Sequence, residues 1–285
     1  MAEPMVGGPR TLEVLERGLR FPEAPRWQGG RLWYSDMYAC EVRSLDLAGR
    51  AEIAVRLAEP TSGLGWLPDG TLLVVSMTDR KLMRVDAGRA SLHADLSRLA
   101  PHHCNDLVVD GRGRAYVGNF GSDIASGGAP TPTCLILVEP DGRARVVAND
   151  LVFPNGMVIT ADGSTLIVAE TFASRLTAFE IAADGSLSKR RVWAELGAAM
   201  PDGICLDAEN AVWIASPFSR EVLRVREGGE IAERIATDQL PVACVLGGSD
   251  LRTLFVLTTL HFEPEKTVER TGRVEHVRIA VPGST

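Results

Sequence analysis

Long apolar runs are missing from this chain of 285 residues, and so are clusters of positive charge, paired cysteines and strong helix patterns. Each absence excludes something. No stretch approaches the roughly 20 apolar residues that span a bilayer, so the apolar segments are expected to be buried strands. The N-terminal stretch Met1 to Arg10 lacks a basic start followed by an apolar run, so no secretory signal is expected, and these ten residues are expected to be flexible. Five cysteines, at 40, 104, 134, 205 and 244, are odd in number, widely spaced and free of any CxxC pair. That usage fits a reducing compartment, and the cytoplasm is the expected location. The formal charge of −7, with no Lys/Arg run to offset it, speaks against nucleic acid as a partner. No GxSxG elbow, Gly-rich phosphate loop or HExxH helix is present. Helix signals are confined to one possible turn within 91–99.

What the chain does have is a repeat. Pro22-Glu23-Ala24, Thr61-Ser62-Gly63, Cys104-Asn105-Asp106, Pro154-Asn155-Gly156, Pro201-Asp202-Gly203 and Pro241-Val242-Ala243 each precede an apolar stretch. Their second positions, 23, 62, 105, 155, 202 and 242, lie 39, 43, 50, 47 and 40 residues apart. Each unit reads as several short strands, with turns such as Asp69-Gly70, Asp110-Gly111 and Asp162-Gly163 between the first two. A third strand follows with period-two alternation, as in Lys81-Leu82-Met83-Arg84-Val85. Such a repeat predicts an all-β, six-bladed β-propeller filling 11–285 as one domain. The segment 11–17 lacks a local partner and is expected to pair with the last blade, whose outer strand is expected near 273–280, so that the ring closes without a free edge. The Gly- and Pro-rich segment 121–133 is expected to overhang one mouth as a lid or wall.

Innermost strands of a propeller converge on its axis, so Glu23, Asn155 and Asp202 should meet at one mouth, with Asn105 beside them. One Asn or Asp in a strand-opening turn commonly bonds only to nearby backbone or lines a solvated pore. Three oxygen-bearing residues from three blades are more specific. Two buried carboxylates repel each other and lose hydration, and a hard divalent cation would offset both costs. Cys104 points away from its neighbour Asn105 in a strand and is expected between blades. Trp27, Trp66, Trp193 and Trp213 are expected in blade packing, and Asn119, Glu170 and Ser216 at second-strand ends facing the same mouth.

These residues carry a resemblance. Phe-Pro-Glu-Ala-Pro-Arg-Trp around Glu23, Asn105-Asp106 followed by the segment 110–119, Phe153-Pro154-Asn155-Gly156-Met157 and the segment 200–207 resemble the senescence marker protein, gluconolactonase and luciferin-regenerating enzyme family of six-bladed propellers. The likeness runs from about Leu19 to beyond Leu257. It implies metal ligation by Glu23, Asn155 and Asp202, a substrate contact or further ligand at Asn105, and general acid/base work by Asp202. The implied cofactor is one divalent ion, calcium first, with zinc, manganese or magnesium as alternatives. The implied substrate is a small lactone, opened by water attack on a polarised carbonyl. His103 and Asn119 are candidate substrate-binding residues. Sugar-lactone enzymes of this kind carry Arg two residues before the Asn, where this chain has His103, and a bidentate clamp for a sugar acid is thereby lost. Three alternatives stay open: the same metal site could serve other ester or phosphotriester hydrolysis, a strictosidine-synthase-like cyclisation, or no reaction at all in a ligand- or protein-binding propeller. A monomer or small homo-oligomer with no membrane partner is expected.

Overall fold

In the computed structural model, residues 10–124 and 126–284 are described; the expected flexibility of the N-terminal ten residues therefore falls almost wholly outside them. Twenty-four strands form six four-stranded antiparallel sheets. Blade 1 runs outward from the axis as Pro22–Gln28, Arg31–Asp36, Glu41–Leu45 and Ala51–Arg56. Blade 2 follows as Thr61–Trp66, Leu72–Ser76, Lys81–Asp86 and Arg89–Asp95, and blade 3 as Cys104–Val109, Ala115–Asn119, Pro132–Val138 and Ala144–Val152. Blade 4 is Pro154–Ile159, Thr165–Glu170, Arg175–Ile181 and Leu187–Glu195; blade 5 is Ile204–Leu206, Val212–Ser216, Glu221–Val225 and Ile231–Ala236. Blade 6 takes Leu240–Gly247, Thr253–Thr259 and Gly272–Arg278 from the C-terminal end, and Glu13–Leu19 from the N-terminal end as its outermost strand. Glu13 pairs with His276 and Leu19 with Gly272, so the ring is latched by hydrogen bonds between strands far apart in sequence.

The expected closure thus holds, with one shift: the segment near 273–280 is the third strand of its blade, and the N-terminal strand is the outer one. The expected turn within 91–99 is present at the end of that span, at 97–99. Arg89–Asp95 is the outer strand of blade 2, and only the segment after it turns, with Ala100 N–H donating to Leu96 O at 2.8 Å. At the Asp110-Gly111 turn, the left-handed residue is Gly113 (φ 80°) rather than Gly111. Asp110 Oδ1 accepts the backbone N–H of Arg112 and Arg114 there, and this Asx turn moves the positive φ two residues on.

The apolar core lies between blades rather than at one centre. Leu73, Val75 and Leu82 of blade 2 pack on Leu107, Val117 and Ile136 of blade 3, and Ile167 and Leu176 of blade 4 pack on Ile214 and Leu223 of blade 5. Each such side chain, fully buried, stabilises the fold by about 1.5–3 kcal/mol. Cys104 belongs to this packing, and Trp193 and Trp213 are buried in it. Trp27 stacks on Phe255 of blade 6 at 5.5 Å, and Trp66 meets Trp33 edge-on at 5.5 Å. All five cysteines are free thiols. Among the described residues no helix is long and apolar enough to cross a membrane.

Candidate active site

Inner strands open on a recurrent irregularity. Their pairing with the second strand shifts between Glu23 and Arg26, Thr61 and Leu64, Cys104 and Leu107, Pro154 and Met157, and Pro241 and Ala243. A bulge adds twist and re-aims the extra residue, so the second-position side chain of each unit turns toward the axis. The third position is Gly or Ala in every unit but that of blade 3, which has Asp106. A Cβ on Gly156 would lie 2.6 Å from Ile204 N of the next inner strand, and one on Gly63 or Gly203 would also strike the following blade. Asp202 sits just ahead of its strand, held by its N–H to Ala215 O at 2.9 Å.

Glu23, Asn105, Asn155 and Asp202 thereby share the floor of one cavity of about 270 Å³. They come from blades 1, 3, 4 and 5 and are only 5–8% exposed. Glu23 Oε2 accepts the Ala24 N–H at 2.7 Å. Asn155 Nδ2 donates to Thr171 Oγ1 at 3.2 Å, which orients its amide and leaves the carbonyl oxygen for another partner. Asn105 Oδ1 accepts from Ser62 Oγ at 3.4 Å, while its Nδ2 is buried without a partner among the described residues. Two non-glycine residues with positive φ, Ala24 (50°) and Phe153 (54°), flank the floor, and such backbone strain concentrates at functional sites.

The floor is electrostatically uncompensated. Among the described residues no basic side chain forms an ion pair with Glu23 or Asp202. Burial first, and then the Asp202 charge, push the Glu23 carboxyl well above the usual carboxylate range. Burial pushes Asp202 up to about 8, with the Asn155 amide pulling the other way and Asp106 adding to the rise. Asp106 itself is paired: Arg26 Nη2 lies 3.0 Å from its Oδ1 and also bonds Leu107 O. This pair lies between the floor and the opposite mouth, where Arg26 joins Trp27, Trp66 and the tail residues Gly283 and Ser284 around a second depression. No cluster of three or more His, Cys, Asp or Glu suited to a metal occurs among the described residues. The floor is a different set, two carboxylates and two amides, and its oxygen chemistry fits a hard divalent cation.

Above the floor the walls are aromatic. In blades 1, 4 and 5 a 3₁₀ turn follows the second strand: Met37–Ala39, Thr171–Ala173 and Pro217–Ser219. Each ends on a left-handed residue (Cys40, Ser174 and Arg220, φ 58°, 48° and 53°) whose N–H closes the turn. Their middle residues, Tyr38, Phe172 and Phe218, all face the cavity. Blades 3 and 6 replace the turn with longer loops, which bring Phe120, Ile124 and Phe262 to the same wall. Roomier depressions exist elsewhere, such as one of about 430 Å³ between blades 4 and 5, but none contains this buried set.

Residues 21–260 match the SMP-30/Gluconolactonase/LRE-like region. The chain belongs to that family. Among curated relatives, a 6-deoxy-6-sulfogluconolactonase of Pseudomonas putida is 24% identical over 271 residues, covering 92% of each chain. The pentonolactonase XacC of Haloferax volcanii is 26% identical over 253 residues, covering 86% of this chain and 84% of its own. In three dimensions the chain is similar to a calcium-binding protein, regucalcin, from Agrobacterium tumefaciens, with a TM-score of 0.81, 24% identity, and coverage of 97% and 96%.

Within this family frame, not every expected residue reaches the cavity. Asn119 is fully buried and its amide is spent: Nδ2 donates to Cys134 O at 2.8 Å, and Oδ1 accepts from Gly121 N and Thr133 Oγ1. It ties both ends of the 121–133 loop instead of lining the pocket. The loop still contributes, through Ile124. His103 is half-buried behind Phe120, with ring centres 5.8 Å apart and His102 at 4.2 Å, and it does not line the cavity. Burial and His102 lower its pKa. Glu170 is sequestered by Arg175 Nε at 2.9 Å and Thr177 Oγ1 at 2.5 Å, and Ser216 accepts from Ser219 Oγ at 2.8 Å. The aromatic wall escaped the sequence reading. Its signal was an apolar residue two places after the second strand of blades 1, 4 and 5, at Tyr38, Phe172 and Phe218.

Proposed function

We propose that the protein is a divalent-metal-dependent lactonase, opening a small cyclic ester to its hydroxy acid. The observation that carries this reading is the pair of buried carboxylates, Glu23 and Asp202, that face one small cavity with amides beside them and no basic partner. Family membership and the two lactonases named above support the reaction class; the calcium-binding relative supports calcium as the first ion to try.

Glu23, Asn155 and Asp202 would hold the ion. Once bound, it would supply Lewis-acid polarisation of the lactone carbonyl. The chain does the rest. The Asn105 amide, whose nitrogen lacks a partner among the described residues, orients the ester by donating to an oxygen of the substrate. Asp202 takes a proton from the attacking water. The water oxygen bonds to the carbonyl carbon, the ring C–O bond breaks, and the proton passes from Asp202 to the departing ring oxygen. The apolar walls exclude bulk water, so the carboxylate acts in a medium where its charge is poorly screened.

The test is γ-butyrolactone opening by pH-stat, with and without chelator, for the wild type and for Asp202→Asn and Glu23→Gln. Removal of a catalytic base or ligand should lower kcat/KM by about 10²-fold or more, and chelation should do the same. Full turnover in chelator, or by either variant, contradicts the assignment.

A further inference from the structure

The walls of this cavity, not its floor, carry information about which ester fits. Six of the chain's eight phenylalanines line it, although aromatic residues make up only 6% of the sequence. They form two arms. On one side Phe120 stacks on Phe153 with ring centres 4.6 Å apart, and Phe153 meets Phe172 edge-on at 5.0 Å. On the other, Phe218 stacks on Phe262 at 5.7 Å, Phe262 leans on Phe21 at 6.0 Å, and Phe21 meets Tyr38 at 5.5 Å. The arms arise from blades 3 and 4 and from blades 5, 6 and 1, so apolar rings flank the floor from both sides.

Polar groups on these walls are few. Among the described residues no Arg, Lys or His lines the cavity. Thr171 Oγ1 is already committed, donating to Pro201 O at 2.8 Å and accepting from Asn155. Among the described residues of the wall the Tyr38 hydroxyl remains, and burial with the nearby Glu23 charge pushes its pKa up to about 12, so it stays protonated. A polyhydroxylated lactone would therefore bury several hydroxyls against phenyl rings with one wall hydroxyl to share among them, and unpartnered buried polar groups oppose binding. Phe218, meanwhile, is 60% exposed. A large apolar side chain held open at the rim of a buried site gains by being covered with a flat apolar group.

We propose that the site selects a lactone whose ring carries an aromatic or similarly flat apolar substituent, lodged between the two phenylalanine arms while the ester rests on the floor. This specificity rests on the lactonase reading for its ester, but the walls themselves do not. About 270 Å³ of space suits a compact ligand of this kind rather than a polymer or a peptide.

Two measurements separate the two ideas. The first compares kcat/KM for γ-phenyl-γ-butyrolactone, unsubstituted γ-butyrolactone and glucono-δ-lactone. The phenyl lactone should exceed glucono-δ-lactone by about 10²-fold, and Phe218→Ala should cut the ratio of phenyl to unsubstituted lactone by about tenfold through KM. Phe218 is exposed enough for that variant to fold. The second is calorimetric binding of the inert lactam 5-phenyl-2-pyrrolidinone against unsubstituted 2-pyrrolidinone, which needs no turnover. If no lactone is opened but the phenyl lactam binds at least about tenfold tighter, the wall proposal stands and the lactonase reading fails. If glucono-δ-lactone is the best substrate, or both lactams bind alike, the wall proposal is overturned whatever the activity.

Discussion

Arg26 reaches past the inner strand of blade 2 to pair with Asp106 of blade 3 at 3.0 Å, and so spends its guanidinium beneath the floor rather than on Glu23. Gly63 and Gly65 let the inner strand of blade 2 lie close against the strand that bears Asp106: a Cβ at either would strike it. Asp106 is the only charged residue at the third position of a repeat, and the salt bridge explains how it is tolerated there.

That pairing predicts a stability effect. Arg26→Met leaves the Asp106 carboxylate buried without its partner, and should destabilise the fold by about 3–5 kcal/mol, at the lower end because Arg26 is partly exposed. Adding Asp106→Asn should recover part of the loss. Urea unfolding of the three proteins checks this, and an Arg26→Met protein as stable as the wild type contradicts it.

The pH dependence of the metal-free protein follows from the floor. Asp202 and Glu23 have folded-state pKa values above those of the unfolded chain, so the native state binds more protons than the unfolded one. Their contribution is fully present below the unfolded carboxylate pKa and is lost as pH rises, for Asp202 up to about 8. Thermal unfolding in chelator should therefore show wild type losing stability relative to Asp202→Asn between about pH 4 and 8. Parallel curves for the two proteins contradict the burial of this carboxyl as an uncompensated charge.

Close approach of the inner strands gives a third expectation. Gly156→Ala places a Cβ 2.6 Å from Ile204 N and 2.7 Å from Asp202 O, both backbone atoms with little freedom to yield. It should cost about 1–3 kcal/mol and disturb the floor, with a matching fall in lactone turnover. Gly111→Ala, with nothing within 4 Å and no positive φ, is the neutral control. Equal melting temperatures for the two variants contradict the packing role of the third position.

Much of this architecture is legible in the sequence because a repeat reports itself many times. Asp-Gly and Asn-containing turns at regular spacing fix the strands, and a lone strand-like segment before the first unit has only the ring's open edge to pair with. The second-position residues are readable for the same reason: equivalent positions in a propeller share one mouth, and the structure brings Glu23, Asn105, Asn155 and Asp202 into one cavity. The rest depends on contacts that spacing does not encode. Asn119 sits at the same mouth by register, yet its side chain is claimed by Cys134, Gly121 and Thr133, a competition visible only once the loop has a path. Arg26 and Asp106 are 80 residues apart, and nothing in the spacing of the repeat announces that their side chains meet. The aromatic wall comes partly from the 120–131 and 260–271 loops, which follow no repeat, so Phe120 and Phe262 have no counterpart to announce them.

The central claim is that an acid, an amide and a second acid from three blades hold one ion. It is tested most directly by elemental analysis of chelator-stripped protein reloaded with calcium and desalted, alongside the Glu23→Gln/Asp202→Asn double variant. The account predicts about one ion per wild-type chain, none retained by the variant, and a calcium-dependent rise in wild-type stability of about 2.7 kcal/mol at a hundredfold excess over Kd. Equal ion content in the two proteins, or a wild type that retains no calcium, zinc, manganese or magnesium after reloading with each, contradicts it.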